Sequence, residues 1–281
     1  MTTTGVYIHG TEPDEQRRLS ILNDLLNEGS LSVLALRPGE HVLDVGSGLG
    51  QLTRAMARAV APGGRVIGVE RSAEQLSVAH RLAGEAGEGD RVDLREGDAT
   101  DLPLAPDEWD MFDVAHARFL LEHLPQPLDA VRTMVGAIRP GGRLVLEDDD
   151  HDVLRLWPEP ESVRRAWEAY IRTFARIGND PFLGRKLVTL LQQAGAEPRR
   201  NGWNFFGSCA GKPDFGDMVA NFAGVLEGAS ERIVAEGQLD QAGIGTALSD
   251  LTEWRLRPDA SLWYGVFWAE GTRPAARRES S

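Results

Sequence analysis

The segment Val42-Leu-Asp-Val-Gly46-Ser-Gly48-Leu-Gly50-Gln-Leu-Thr53 sets three glycines at alternate positions, with Asp44 two residues ahead of the first. It lies where an apolar run gives way to a helical pattern. Glycines at such a junction allow a tight turn and close approach of a ligand to the backbone, and the helix start offers unpaired N–H groups to an anion. The spacing is G-x-G-x-G. A dinucleotide fingerprint would need glycine at the sixth position, where this chain has Gln51. Glu70 closes the next apolar run, 20 residues past Gly50, at about the distance where an acid accepts hydrogen bonds from ribose hydroxyls. Asp98 and Ala99 follow the third apolar run, where an acid and a neighbouring N–H can read an adenine edge.

A second chemical candidate is Glu147-Asp-Asp-Asp-His-Asp152, at the end of the fifth apolar run. If the strand persists through it, Glu147 and Asp149 share one face and Asp148 and Asp150 the other. Carboxylates this close raise one another's pKa unless a cation or donors satisfy them. Three readings stand side by side: a solvated acidic turn, substrate orientation or proton removal by Asp149 and His151, and a Mg²⁺ site built on carboxylates. His123, in Leu121-Glu-His-Leu-Pro125, is read as a helix-start residue with a structural hydrogen bond in preference to a base, and His116 as a satisfied core histidine.

These residues need a scaffold, and the periodicity supplies one. Apolar runs at 41–45, 65–70, 92–96, 112–116 and 143–147 alternate with helical patterns at 52–60, 73–86 and 127–138, and a further helix is expected over 13–36. Strands alternating with 10–15-residue helices give βαβ units and a mostly parallel sheet covered on both faces. Beyond residue 155 the rhythm changes. Helices are expected over 162–177 and 182–194, a strand over 198–206, two or three helices within 213–253, and a last aromatic strand over 262–269. Trp203, Trp254, Trp263 and Trp268 could wall an apolar pocket, or simply pack the insert on the sheet.

The ordered set of motifs over residues 38–155 resembles class I S-adenosylmethionine-dependent methyltransferases, and the opening Tyr7-to-Leu19 segment is similar to that of ubiquinone- and menaquinone-biosynthesis-type small-molecule relatives. The resemblance implies a Rossmann-like α/β fold: a seven-stranded, mostly parallel sheet with its last strand antiparallel and helical cap insertions. It implies an N-terminal helical lid (1–37), a cofactor-binding core (38–155), helices and a strand completing that core (156–212), a helical cap insert (213–253), and the last strand with its tail (254–281). The cofactor would be S-adenosyl-L-methionine. Gly46, Ser47 and Gly48 would line its methionine and ribose part, with Asp44 ordering the loop. Glu70 would bind the ribose, with Arg71 beside it. Asp98 and Ala99 would meet the adenine, Ala117 and Arg118 would border the methionyl side, and Tyr7 and Gln16 would cover the cofactor from the lid. Asp149 and His151 are the expected catalytic pair, and no resident metal is expected.

Composition narrows the acceptor. With 30 basic against 43 acidic residues the net charge is -13. Such a surface repels phosphate backbones and anionic lipid, so neither nucleic acid nor membrane is expected as a partner. Cys209 is the sole cysteine, which excludes an intramolecular disulfide and a cysteine-based metal centre. No signal peptide or membrane-length apolar run is recognised, so a cytoplasmic protein is expected. The expected partner is a small-molecule acceptor, aromatic or from secondary metabolism, with oxygen favoured as the nucleophile, and a homodimer is compatible with the sequence. Two rivals remain: a protein of the same fold that binds S-adenosylmethionine but catalyses a non-methylating reaction such as cyclisation, and an NAD-dependent oxidoreductase.

Overall fold

The computed structural model describes residues 26–275. Helix α1 is described over 26–34, so most of the expected helix at 13–36 lies outside the described residues. The chain then runs β1 (His41–Val45), α2 (Gln51–Ala59), β2 (Arg65–Glu70), α3 (Ala73–Glu85), β3 (Val92–Glu96), β4 (Phe112–Arg118), α4 (Pro127–Ala137), β5 (Ile138–Asp149) and β6 (Arg155–Trp157). It continues with α5 (Glu161–Arg176), α6 (Leu187–Gln193), β7 (Glu197–Cys209), α7 (Phe215–Gly228), α8 (Ser230–Ala235), α9 (Gln241–Trp254) and β8 (Ser261–Thr272).

The strands form one Rossmann-like sheet in the order β3-β2-β1-β4-β5-β8, with β7 along the far side of β8. Strands β1 to β5 pair in parallel, and β8 runs antiparallel to both β5 and β7. All seven expected strands are present. The eighth, β6, is three residues long and pairs with Ser261–Trp263 of β8, on the edge that β5 leaves at Asp149. Five residues of chain, Asp150 to Leu154, thus oppose two of β8, Tyr264 and Gly265, and the surplus is lifted out of the sheet.

Alternation along the strands builds two cores. Val42, Val66, Val114 and Val145 face α1 and α2, while Leu43, Val45, Ala115, Leu144 and Leu146 face α4 and α6. A third core lies in the helical cap, where α5, α7, α8 and α9 bury Tyr170, Phe174, Val219, Ile233, Leu251 and Trp254 with Leu156 and Leu262 beneath. The helix expected over 182–194 is shorter. Residues Gly184–Lys186 form a 3-10 turn and α6 starts at Leu187. The turn crosses the end of β5 so closely that a Cβ on Gly184 would lie 2.8 Å from the Asp148 carbonyl oxygen.

Candidate functional site

At the C-terminal end of β1 the chain turns through Gly46, Gly48 and Gly50, with φ of +77°, +53° and +71°. The N–H groups of Gly46 and Ser47 both donate to the Val69 carbonyl, at 2.8 and 3.0 Å, which clamps the turn to the end of β2. Gly50 opens α2 with no side-chain cap, so the first turn of the helix is left to bind an anion. Gly46→Ala would place a Cβ 3.2 Å from Leu120 in a left-handed backbone. Urea denaturation should show a loss of about 1–2 kcal/mol. An unchanged midpoint would mean that the turn does not depend on glycine at 46.

The turn forms one wall of a cavity of about 390 Å³. Asp44, Gly46, Ser47, Gly48, Glu70, Arg71, Asp98, Ala99 and Arg118 all line it. Glu70 accepts from Gly48 N at 3.0 Å through one oxygen and from Ser72 N at 2.8 Å through the other. Each oxygen keeps a free lone pair, so a vicinal diol could still donate to both. Asp98 accepts from the hydroxyl and N–H of Thr100, bonds that hold its carboxyl below the usual range against the opposing effect of burial.

Ala117 is a correction. It is 1% exposed and packs in the core beneath α4, because alternation along β4 sends His116 and Arg118 to the cavity face and Ala117 to the other. Tyr7 and Gln16 lie outside the described residues. The lining also contains Gln75, Phe119, Leu120 and Leu124, which the sequence reading passed over, and His116 and His123, which it read as structural.

Beneath the cavity a polar row crosses the sheet. Asp44 accepts from Thr53 Oγ1 at 2.6 Å and meets His116 Nδ1 at 2.9 Å, and His116 Nε2 meets Glu147 at 3.2 Å. Glu147 also accepts from Ser30 at 3.0 Å and Asn204 at 3.3 Å. Burial alone would lower the pKa of His116, but its two carboxylate partners outweigh burial and raise it to about 9. The residue expected as a satisfied core histidine is therefore a buried imidazolium. Arg118 carries the row outward, donating to Ser30 at 3.0 Å and Asn27 at 2.9 Å and so tying α1 to the sheet.

The acidic run does not gather round one point. Glu147 belongs to the polar row. Asp148 accepts from the N–H groups of Leu121, Glu122 and Asp149. Asp150 is paired with Arg185, and Asp152 is exposed. Asp149 and His151 instead join two groups that sequence reading did not connect to them, Glu122 and Tyr264. Burial, reinforced by the charge of Glu122, pushes Asp149 up to about 7. Burial raises Glu122 and lowers His151.

Neither Asp149 nor His151 lines the first cavity. The cluster lies behind His123, whose Nε2 is 3.4 Å from Glu122. On its other side His151 borders a second cavity of about 260 Å³, with Trp167, Ile171 and Phe222. The four late tryptophans line neither cavity. Trp254 is buried in the cap core and Trp203 is 52% exposed on β7.

Residues 43–146 match the family model described as "Methyltransferase domain". The chain is 36% identical, over 59% of its length, to an uncharacterised 37.1 kDa protein of transposon Tn4556 in Streptomyces fradiae. It is 29% identical, over 61% of its length, to the ubiquinone/menaquinone biosynthesis C-methyltransferase UbiE of Pseudomonas savastanoi. It spans 46% and 64% of those relatives, less than two thirds of either. Among solved structures it is similar to the [4+2]-cyclase SpnF, with a TM-score of 0.56 and 22% identity over 90% of this chain and 82% of that one. It is also similar to a geranyl diphosphate methyltransferase in complex with SAM, with a TM-score of 0.53 and 15% identity over 94% and 92%. At these identities the structural likeness concerns the fold. Among the described residues no helix is long and apolar enough to cross a membrane.

Proposed function

From a chain whose residues 43–146 carry a methyltransferase domain, we infer that the first cavity binds S-adenosylmethionine and that the protein methylates a small acceptor, at oxygen in preference to nitrogen or carbon. The observation that carries the reading is one cradle with two ends: an uncapped helix start suited to a carboxylate, and Glu70 with an open lone pair on each oxygen. S-adenosylmethionine supplies a sulfonium-activated methyl group. The protein's part is to hold the acceptor in line with it, and such positioning can supply several kcal/mol without an acid or a nucleophile.

In this reading Glu70 takes the ribose hydroxyls, Asp98 and Ala99 the adenine, and Gly46 to Gly48 with the start of α2 the methionyl end. Arg118 borders that end, and Phe119, Leu120 and Leu124 give it an apolar wall. Such a wall suits a small aromatic or secondary-metabolite acceptor better than a phosphate-bearing polymer. The similarity to a cyclase fold keeps a second reading, in which the same cofactor is bound but no methyl moves. Incubation with methyl-labelled cofactor and candidate acceptors separates the two: label in the product supports transfer, and a rearranged, unlabelled product supports cyclisation.

Binding comes before either. S-adenosylhomocysteine at about 100-fold excess over Kd should stabilise the protein by about 2.7 kcal/mol, a rise in Tm of roughly 5–10 °C. NAD should give none. Stabilisation by NAD instead of S-adenosylhomocysteine would end the methyltransferase reading.

A further inference from the structure

We propose that Glu122, Asp149 and His151 form a binding site for a first-row transition-metal dication of the Mn²⁺, Fe²⁺ and Zn²⁺ group. A carboxylate oxygen of Glu122, one of Asp149 and a ring nitrogen of His151 lie within 4.8 Å of one another. Glu122 Oε2, Asp149 Oδ1 and His151 Nε2 are buried from solvent and have no hydrogen-bond partner. Among the described residues no lysine or arginine forms an ion pair with either carboxylate: Arg185 is held by Asp150 and Lys186 by Asp180, and Arg118, whose charge reaches Asp149, donates to Ser30 and Asn27. Buried carboxylates are otherwise paired or coordinate a metal.

The surroundings of His151 point the same way. The Tyr264 hydroxyl lies 3.1 Å from His151 Nδ1. That leaves Nε2 as the nitrogen facing Glu122 Oε2, at 3.4 Å. Three buried side-chain atoms without a hydrogen-bond partner therefore converge, and a dication would satisfy all three at once.

The donor set decides the metal. One imidazole with two carboxylates suits Mn²⁺, Fe²⁺ or Zn²⁺, whereas Mg²⁺ and Ca²⁺ take oxygen donors. Ligands at about 2.1 Å from an ion stand at most about 4.2 Å apart, so a contraction of a few tenths of an ångström closes the site. The imidazole is already aimed. Tyr264 holds its far nitrogen, as a second partner commonly does for a metal-bound histidine. Trp167, Tyr170 and Phe174 fix the ring edge-on, with centroids at 5.6, 5.3 and 5.0 Å. The site stands whether or not the chain transfers a methyl group.

The test is the metal content of the full chain, purified without chelator, by inductively coupled plasma mass spectrometry. One equivalent of Mn, Fe or Zn per chain is expected. Chelator-treated protein should bind added Zn²⁺ or Mn²⁺ in calorimetry and gain thermal stability with it. Glu122→Gln/His151→Gln should lose the metal and the stability gain. In case that pair folds poorly, Tyr264→Phe keeps all three ligands and should weaken the metal by about 10–100-fold. Folded, chelator-treated protein that binds neither Zn²⁺ nor Mn²⁺ would overturn the proposal, as would unchanged metal content in a folded double variant.

Discussion

Replacing His116 with leucine is expected to lower stability by about 3–5 kcal/mol near pH 7, the cost of removing one partner from a buried charged group and leaving the others uncompensated. His116 is the only imidazole in the row from Thr53 to Asn204, and both Asp44 and Glu147 lie against it at hydrogen-bonding distance. The effect depends on pH in a defined direction. A histidine with a folded pKa of about 9, against about 6.5 in the unfolded chain, binds its proton more tightly when folded. Its contribution is complete below about pH 6.5 and is lost as pH rises through 9. A difference of that size corresponds to about 3 kcal/mol. Urea denaturation of both proteins between pH 6 and 10 measures it, and their difference isolates His116 from the other buried acids. The gap should close at the alkaline end. A gap that is constant or widens with pH would mean that His116 is neutral in the folded protein.

Glu70→Ala should weaken S-adenosylhomocysteine by at least tenfold. Each lost charge-assisted hydrogen bond is worth about 1.5–3 kcal/mol, and about 1.4 kcal/mol is a factor of ten. Because Glu70 also accepts the N–H groups of Gly48 and Ser72, the substitution loosens the glycine turn, which an open strand end alone would not have suggested. Glu70→Gln separates the roles. Its amide oxygen keeps one of the two backbone bonds and carries no charge, so the turn is disturbed less than in the alanine variant while the diol loses its strongest partner. Calorimetry showing unchanged affinity in both variants would remove Glu70 from the site.

Most strand positions were legible because a parallel strand buried on both faces reads as a short apolar run between glycine or proline punctuation; β3, at the sheet edge, buries only Leu94. The glycine turn, Glu70 and Asp98 were legible for a related reason: they stand where such runs end, and their roles depend on sequence position. Ala117 was misread because neighbouring residues of a strand point to opposite faces, and only Arg118 could turn toward the cavity. The Asp44–His116–Glu147 row was latent in the sequence. All three residues stand near strand ends, but only the register of β1, β4 and β5 sets Asp44 beside His116 and Glu147 diagonally across from it, opposite Arg118. Glu122 and Tyr264 carried no local signal for the cluster with Asp149 and His151. Tyr264 comes from the last strand, and nothing near residue 149 announces that β8 will lie against it. The short β6 escaped for a similar reason: three residues are too few for a period, and its pairing is set by a strand more than 100 residues further on.

The position of β8 has a consequence for how the chain is made. It lies between β5 and β7, and among the described elements it comes last in chain order. Strands β1 to β5 can assemble as soon as they emerge, each beside a neighbour of similar age. Until Ser261 to Thr272 follow, β5 presents an open edge and β7 has no partner, and unpaired edges of this kind invite association with other chains. Pairing residues 143–149 with 266–272 closes a loop of more than 100 residues, the kind of distant contact that slows folding and prolongs exposure to aggregation. The final strand therefore acts as a completeness check: a nascent chain that stops short of it owns a formed glycine turn but a sheet that has not been sealed.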